Sequence, residues 1–314
     1  MLPSDRARWT VGVDEAGYGP NLGPLVVVAT AWRGPADTPL ESALAPALAA
    51  DVGEEERLVI ADSKSVYKPG GGLAALERAV YAATGAPTNW RGWLAQLGVT
   101  ADATPPPWRQ GYDPPLPIHA DLGQVEAGRR RLAAALGGAR FAPPIVAARV
   151  VGAEEFNRLI ARHGTKGAAL SHLSIGLARR VYERAADPHA DWRFVFDKHG
   201  GRNRYAGLLQ DHFPDHWVQV RQEGRAESAY QAGERLGFRF RTKGESEPAV
   251  ALASMTAKLV REVEMLAFNA FWRRRLPDLR PTAGYPVDAR RFKAEIAAAQ
   301  TELGIADAAL WRER

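Results

Sequence analysis

Apolar positions in this chain recur with period two in some stretches and with helical spacing in others, and glycine and proline mark most of the changes between them. Residues 10–14 (TVGVD) predict a strand, followed by the loop EAGYGPNLG. The β-branched run PLVVVATAW at 24–32 predicts a second, buried strand. RLVIADSK at 57–64 suggests a short strand ending in a polar loop, and LAALERAVYAA at 73–83 a helix. The composition then shifts. Residues 85–143 hold Trp90, Trp93 and Trp108 and a cluster of prolines, and read as an insertion with one helix near QVEAGRRRLAAAL. Regular alternation resumes with a strand at 144–151, helices at 153–163 and 169–186, and strands at 193–197, 217–220 and 237–242. A long helix follows over 247–272, with Pro248 in the favoured first turn, and a last helix over 289–302. There is no internal repeat and no low-complexity tail.

Interleaved strands and helices of this kind predict an α/β fold, a mixed β-sheet flanked by helices. The 314 residues, 46% of them hydrophobic, are ample for a substantial core. No apolar run approaches the roughly 18–20 residues that span a bilayer, and the opening MLPSDRARW has no apolar signal core, so a soluble, cytoplasmic protein without membrane contact is expected. The chain has no cysteine, which excludes disulfides, thiolate metal sites and cysteine nucleophiles. Its net charge of +5 and pI near 9.5 come largely with arginine, whose planar fork of donors suits phosphate, although a basic composition alone has other origins.

Acidic residues at element boundaries carry the candidate chemistry. Asp14 closes an apolar strand, and Glu15 follows where the chain is expected to turn through Gly17 and Gly19. Asp197 ends the strand RFVF, and Glu245 stands just before the long helix. Carboxylate oxygens are the ligands that Mg²⁺ and Mn²⁺ prefer. Taken singly, an aspartate after a strand is also a common turn residue, and a glutamate at a helix start also serves the helix dipole.

Read as a block, VGVDEAGYGPNLGPLVV resembles the opening motif of ribonucleases HII and HIII, Asp-Glu-x-Gly-Arg-Gly-Pro in its HII form. The resemblance continues in the same order along the chain. ADSKSV at 61–66 is similar to the Asp-Ser-Lys-Lys-Leu segment, VGAEEFNRL at 151–159 to the segment leading to Ile-Asp-Glu-Leu-Asn, and FVFDKHGG to the strand ending in Val-Asp-Gly. TKGESEPAVALASMTAKLVRE at 242–262 is similar to Lys-Gly-Asp, a spacer, and Ala-Ala-Ser-Ile-x-Ala-Lys-Val-Thr-Arg-Asp, and AGYPVDARRF at 283–292 to Gly-Tyr-Pro-Thr-x-x-His. The resemblance implies a ribonuclease H-like catalytic domain over 1–84 and 144–272, with 85–143 inserted in it and a C-terminal helical extension over 273–314. It also implies a metal site of Asp14, Glu15, Asp197 and Glu245 holding Mg²⁺ or Mn²⁺, and an endonuclease that cuts the RNA strand of RNA/DNA hybrids or ribonucleotides embedded in DNA. The partner is then nucleic acid, and the protein is expected to be a monomer.

The resemblance further implies substrate contacts by Gly17, Tyr18, Gly19, Ser63, Lys64, Ser254, Lys258 and Tyr285. Each also has a plainer reading: Lys258 and Glu262 as an ordinary ion pair, Ser63 and Lys64 as a surface loop, Tyr285 as a packing residue. Tyr18 stands where ribonuclease HII has the arginine of its Gly-Arg-Gly loop, which puts junction recognition in doubt. His199 reads as a proton shuttle, a phosphate contact or a structural loop residue. His212 and His216 have zinc-like spacing without a third ligand, and the tryptophans of 85–143 read as a small core or a base-stacking platform. Two other functions fit: a nuclease of the same fold acting on another nucleic-acid structure, and a binding protein without turnover. Four clustered carboxylates argue against the second, because negative charge repels phosphate.

Overall fold

A computed structural model of the protein describes residues 6–49, 57–68, 70–100 and 105–313. Residues 1–5, which carry part of the expectation of no signal segment, lie outside these. The chain runs β1 (Ala7–Ala16), β2 (Leu25–Pro35), α1 (Leu40–Leu44), α2 (Ser63–Val66), α3 (Ala74–Thr84), α4 (Trp90–Gln96), α5 (Leu122–Gly138), β3 (Ile145–Val151), α6 (Ala153–His163) and α7 (Lys166–Ala185). It continues β4 (Asp191–Asp197), α8 (Ala206–His212), β5 (Val218–Glu223), β6 (Glu227–Ala232), β7 (Leu236–Arg241), α9 (Pro248–Arg273), α10 (Pro286–Glu302) and α11 (Asp307–Leu310). Among the described residues the strands form one seven-stranded sheet in the order β3-β2-β1-β4-β7-β6-β5. β4 is parallel to both its neighbours, β1 and β7, and the remaining pairs are antiparallel. This is the mixed, helix-flanked α/β sheet that the sequence predicts.

Strand alternation divides the core into two layers. Val26 and Val28 of β2 face one side, where they join α9 and the helices of the 74–138 region. Leu25, Val27, Ala29 and Ala31 face the other, with Val11 and Val13 of β1, Phe194 and Phe196 of β4, and the buried residues of α7. Gly12 therefore faces α9, which lies so close that a β-carbon there would fall on the backbone of Ala249 and Val250. Thr30 makes the same approach specific by donating its hydroxyl to the Ala249 carbonyl at 2.7 Å. A third apolar cluster joins Leu22 and the end of α9 (Met265, Phe268, Phe271, Trp272) to Phe292 and Ile296 of α10 and to Leu310.

The structure corrects several expectations. The 57–64 stretch is not a strand: Leu58 forms only an isolated bridge with Leu48, and Asp62 caps α2 by accepting the Lys64 N–H at 3.0 Å. A run of four apolar residues (58–61) followed by a capping aspartate has too little length to pair further. The region 85–143 holds a second helix, α4, besides α5. Of the two readings of its tryptophans, the packed one fits: Trp90 and Trp93 are buried with Tyr81, and Trp108 packs edge-on against Phe268. The buried Glu77 ties this region down by accepting the N–H groups of Ile118, His119 and Ala120 at 2.6–2.8 Å. Finally, β1 does not turn at Glu15 but continues to Ala16, with Glu15 opposite Val27. No helix among the described residues is long and apolar enough to cross a membrane.

Candidate active site

The ladder between β1 and β4 ends at Val13 and Phe196, so Asp14, Glu15 and Ala16 run on along a free edge. This overhang lets carboxylates from opposite faces of one strand reach the same space, the work that the sequence assigns to a turn. Asp197 ends β4 beside them. Glu245 arrives on a single 3-10 turn between β7 and α9, and the neighbouring Gly244 donates its N–H to Asp197 Oδ1 at 3.0 Å. Gly244 packs against the Asp197 backbone, with little room for a β-carbon.

Asp14, Glu15, Ala16, Asp197 and Glu245 together line a cavity of about 260 Å³. Of the residues expected to contact substrate, Gly17, Tyr18, Ser63, Lys64, Ser254, Lys258 and Tyr285 line it as well. Gly19 does not, although a β-carbon there would touch the Tyr285 ring at 3.6 Å. Two further lining residues, Asp62 and Arg261, are missed by the sequence reasoning, although both lie inside the matched blocks 61–66 and 242–262.

The electrostatics of the cavity are unbalanced. Burial raises the proton affinity of Asp14, and the charges of Asp197 and Glu245 raise it further, against hydrogen bonds from the Ser254 hydroxyl and the Glu15 backbone. Glu15 is held well above the usual carboxylate range by burial and then by Asp14, Asp197 and Glu245, with Lys64 opposing. Asp197 is raised, chiefly by burial. Burial works against the Lys64 ammonium, but Asp62, Glu245, Asp14 and Asp197 outweigh it and hold the charge on. Crowded carboxylates of this kind, with oxygen donors throughout, fit a hard divalent cation. Among the described residues no group of three or more acidic or histidine side chains is placed to enclose an ion as it stands. Adding Mg²⁺ or Mn²⁺ at about 100 times its Kd is therefore expected to stabilise the fold by about 2.7 kcal/mol, a rise in Tm of roughly 4–8 °C. A chelator should reverse the rise, and an unchanged melting curve would count against a cation site here.

The other side chains have definite neighbours. Lys258 pairs with Glu262 at 2.5 Å and lies 4.4 Å from the centre of the Tyr67 ring, so the ordinary ion pair is present. Ser254 and Ser63 are buried and hydrogen-bonded to each other at 3.1 Å. Tyr18 is half-buried, with the Lys166 ammonium 4.5 Å from its ring centre. Tyr285 is 55% exposed at the start of α10. His199 is buried and outside the cavity lining, shares a hydrogen bond with Ser171 at 3.0 Å, and burial pushes it down to about 3. His212 pairs with His172 at 3.2 Å rather than with His216.

Two buried arginines support the loop after β1. Arg261 lies beneath Gly17, where a β-carbon would meet its Nε at 2.5 Å, and donates to the Ala283 carbonyl at 2.9 Å. Arg312 donates to the carbonyls of Gly17 and Pro20 at 2.6 and 2.5 Å, and Asn21 returns two hydrogen bonds to the Arg312 backbone, one in each direction. Gly17 itself has φ of +89°, a conformation that glycine adopts without strain.

No family model and no curated protein matches this chain. Solved structures do. Ribonuclease HII from Archaeoglobus fulgidus, in a complex with PCNA, is similar at 16% identity over 97% of this chain and 94% of that one, with a TM-score of 0.43. Ribonuclease H2 from Pyrococcus horikoshii is similar at 14% identity over 96% and 92%, with a TM-score of 0.42. Bst-RNase HIII in complex with Mn²⁺ is similar at 17% identity over 97% and 66%, with a TM-score of 0.39. The structures to which this chain is similar in fold are type 2 ribonucleases H, at low sequence identity.

Proposed function

We propose that the protein is a divalent-metal-dependent endonuclease of the ribonuclease H type, which hydrolyses the RNA strand of RNA/DNA hybrids or ribonucleotides embedded in DNA. One observation carries this reading: carboxylates from β1, β4 and the turn before α9 share one cavity with Lys64, in a chain of net positive charge. Asp14, Glu15, Asp197 and Glu245 would hold the ions. When bound, such ions lower the pKa of an attacking water and stabilise the leaving oxygen.

The protein's own groups fix the geometry. The Ser254 hydroxyl and the Gly244 N–H orient Asp14 and Asp197, respectively, by hydrogen bonds. Lys64 presents its charge at the rim to a phosphate. The loop around Gly17 offers backbone groups to a 2′-hydroxyl, the group that separates RNA from DNA. The experiment is cleavage of labelled hybrid, single-ribonucleotide duplex and all-DNA duplex with Mg²⁺ or Mn²⁺. Cuts confined to ribonucleotides are expected; cutting of the all-DNA duplex at a similar rate would overturn the reading.

Tyr18 sets the expected preference between the two RNA-containing substrates. It has one hydroxyl and no charge, and its ring is already occupied by Lys166. A charge-assisted contact is worth about 1.5–3 kcal/mol, so its lack should cost a lone ribonucleotide roughly tenfold or more in kcat/KM relative to a continuous hybrid. Tyr18→Arg should narrow the gap. A native preference for the single-ribonucleotide duplex removes this role from Tyr18.

A further inference from the structure

Beyond the cavity, the same end of the sheet carries a strong excess of basic charge. The segments 198–204, 218–228 and 239–243 contain eight lysines and arginines (Lys198, Arg202, Arg204, Arg221, Arg225, Arg239, Arg241, Lys243) and two acids, Glu223 and Glu227. Both acids are already engaged. Glu227 pairs with Arg239 and Arg241, and Glu223 accepts the Tyr230 hydroxyl at 2.8 Å. Arg204 reaches Glu223 only loosely, at 3.7 Å, and its side chain is 89% exposed. Arg221, Arg225 and Lys243 are exposed.

The arrangement is built rather than loose. The buried Lys198, next to Asp197, donates to the carbonyls of Arg202 and Gly224, to the Asn203 side chain and to Ser228. One ammonium thus fastens the loop after β4 to the turn between β5 and β6. β5 is the edge strand, and its pairing with β6 slips between Val220 and Gln222, so that Arg221 is the extra, bulged residue. A bulge at an edge re-aims the side chain it carries.

Register gives the distance to the cavity. Asp197 lies opposite Arg241 of β7, which lies opposite Glu227 of β6, where the turn begins. At about 4.8 Å per strand the turn stands roughly 10–14 Å from Asp197. A nucleic-acid strand rises about 3.4 Å per phosphate, so this separation corresponds to roughly three or four nucleotides.

We propose that this lysine-fastened platform, with Arg204, Arg221 and Arg225 at its outer edge, is a second nucleic-acid contact that holds the phosphate backbone about three or four nucleotides from the cut. The proposal rests on the nuclease reading and extends the substrate footprint in one direction, from β4 across β7 and β6 to the edge of the sheet. The ligand is the phosphodiester backbone, read by charge and without base contacts, so the platform adds affinity and length dependence and leaves sequence preference unchanged.

The test uses the full chain with Arg204, Arg221 and Arg225 all replaced by alanine. These side chains are exposed or edge residues and form no part of the carboxylate cavity. Binding is measured by fluorescence anisotropy without metal, on a short hybrid ending within about three nucleotides of the cut and on one running about 10 base pairs, one helical turn, beyond it. The wild type should bind the long hybrid more tightly. The triple variant should lose that gain, about tenfold, and its slope of log Kd against log salt should be smaller by between about one and three. Its binding and cleavage of the short hybrid should equal those of the wild type. Equal losses on both lengths, or no loss on the long one, overturn the platform. Should the wild type cleave neither hybrid, the nuclease reading falls, whereas the metal-free binding curves still decide whether the platform holds a backbone.

Discussion

Asp14→Asn is expected to reduce hydrolysis of an RNA/DNA hybrid by about 10³-fold or more, beyond the 10–100-fold that loss of an outer-shell partner costs. Asparagine keeps the volume and one carbonyl oxygen but removes the charge. Ser254 can still donate to that oxygen, so the side chain should stay where it is. The same change should leave the metal-free protein at least as stable as the wild type. Burial, and then the like charges of Asp197 and Glu245, already raise the proton affinity of Asp14, and removing its charge relieves both costs. Loss of activity and unchanged or increased stability form the expected pair, read by a cleavage assay and by urea unfolding. Near-normal turnover with Mg²⁺ would sink the assignment of Asp14 as a ligand, and a large loss of stability would show a structural role instead.

The second large effect is on folding. Gly12→Ala is expected to cost about 4 kcal/mol or more, in the range reserved for changes that damage the core. The added β-carbon would meet the backbone of Ala249 and Val250, at the start of α9, and no side chain there can move aside. β1 cannot retreat either, since it is paired on both sides, with β2 and β4. The helix would have to lift, breaking the Thr30 hydrogen bond to the Ala249 carbonyl and shifting Ser254 one turn further on. Soluble, fully folded Gly12→Ala with wild-type urea unfolding would mean that α9 sits less tightly than described.

Long, strongly periodic elements are legible in the amino-acid pattern itself. The helix at 153–163 has its predicted bounds, and the strands around Asp14 and Asp197 fall where their alternation puts them. The misses have physical causes. β6 (ESAYQA) has a single large buried side chain, Tyr230, too little for a pattern to show, and takes its place between β7 and β5. α8 is seven residues long, too short for periodicity to show. Within the cavity, Asp14, Asp197 and Glu245 stand out by their place at element boundaries, while it is the family resemblance that singles out Lys64. Arg261 and Arg312 do not stand out, because arginine is usually a surface residue and sequence gives no sign that these two are nearly fully buried. The free edge of β1 is also hidden, since it depends on where β4 stops.

The clamp by Arg312 has a consequence for the order in which the site is finished. Gly17 and its arginine are 295 positions apart in the chain. At a synthesis rate of about 5–20 residues per second, roughly 15–60 seconds separate the appearance of the loop from that of its clamp. During that interval the strands carrying Asp14 and Asp197 can pair, but the carbonyls of Gly17 and Pro20 have no guanidinium to meet. The loop that would face a ribonucleotide thus takes its final shape last. On the proposed function, a chain still attached to its ribosome would carry an unfinished substrate loop until residue 312 has been made and docked.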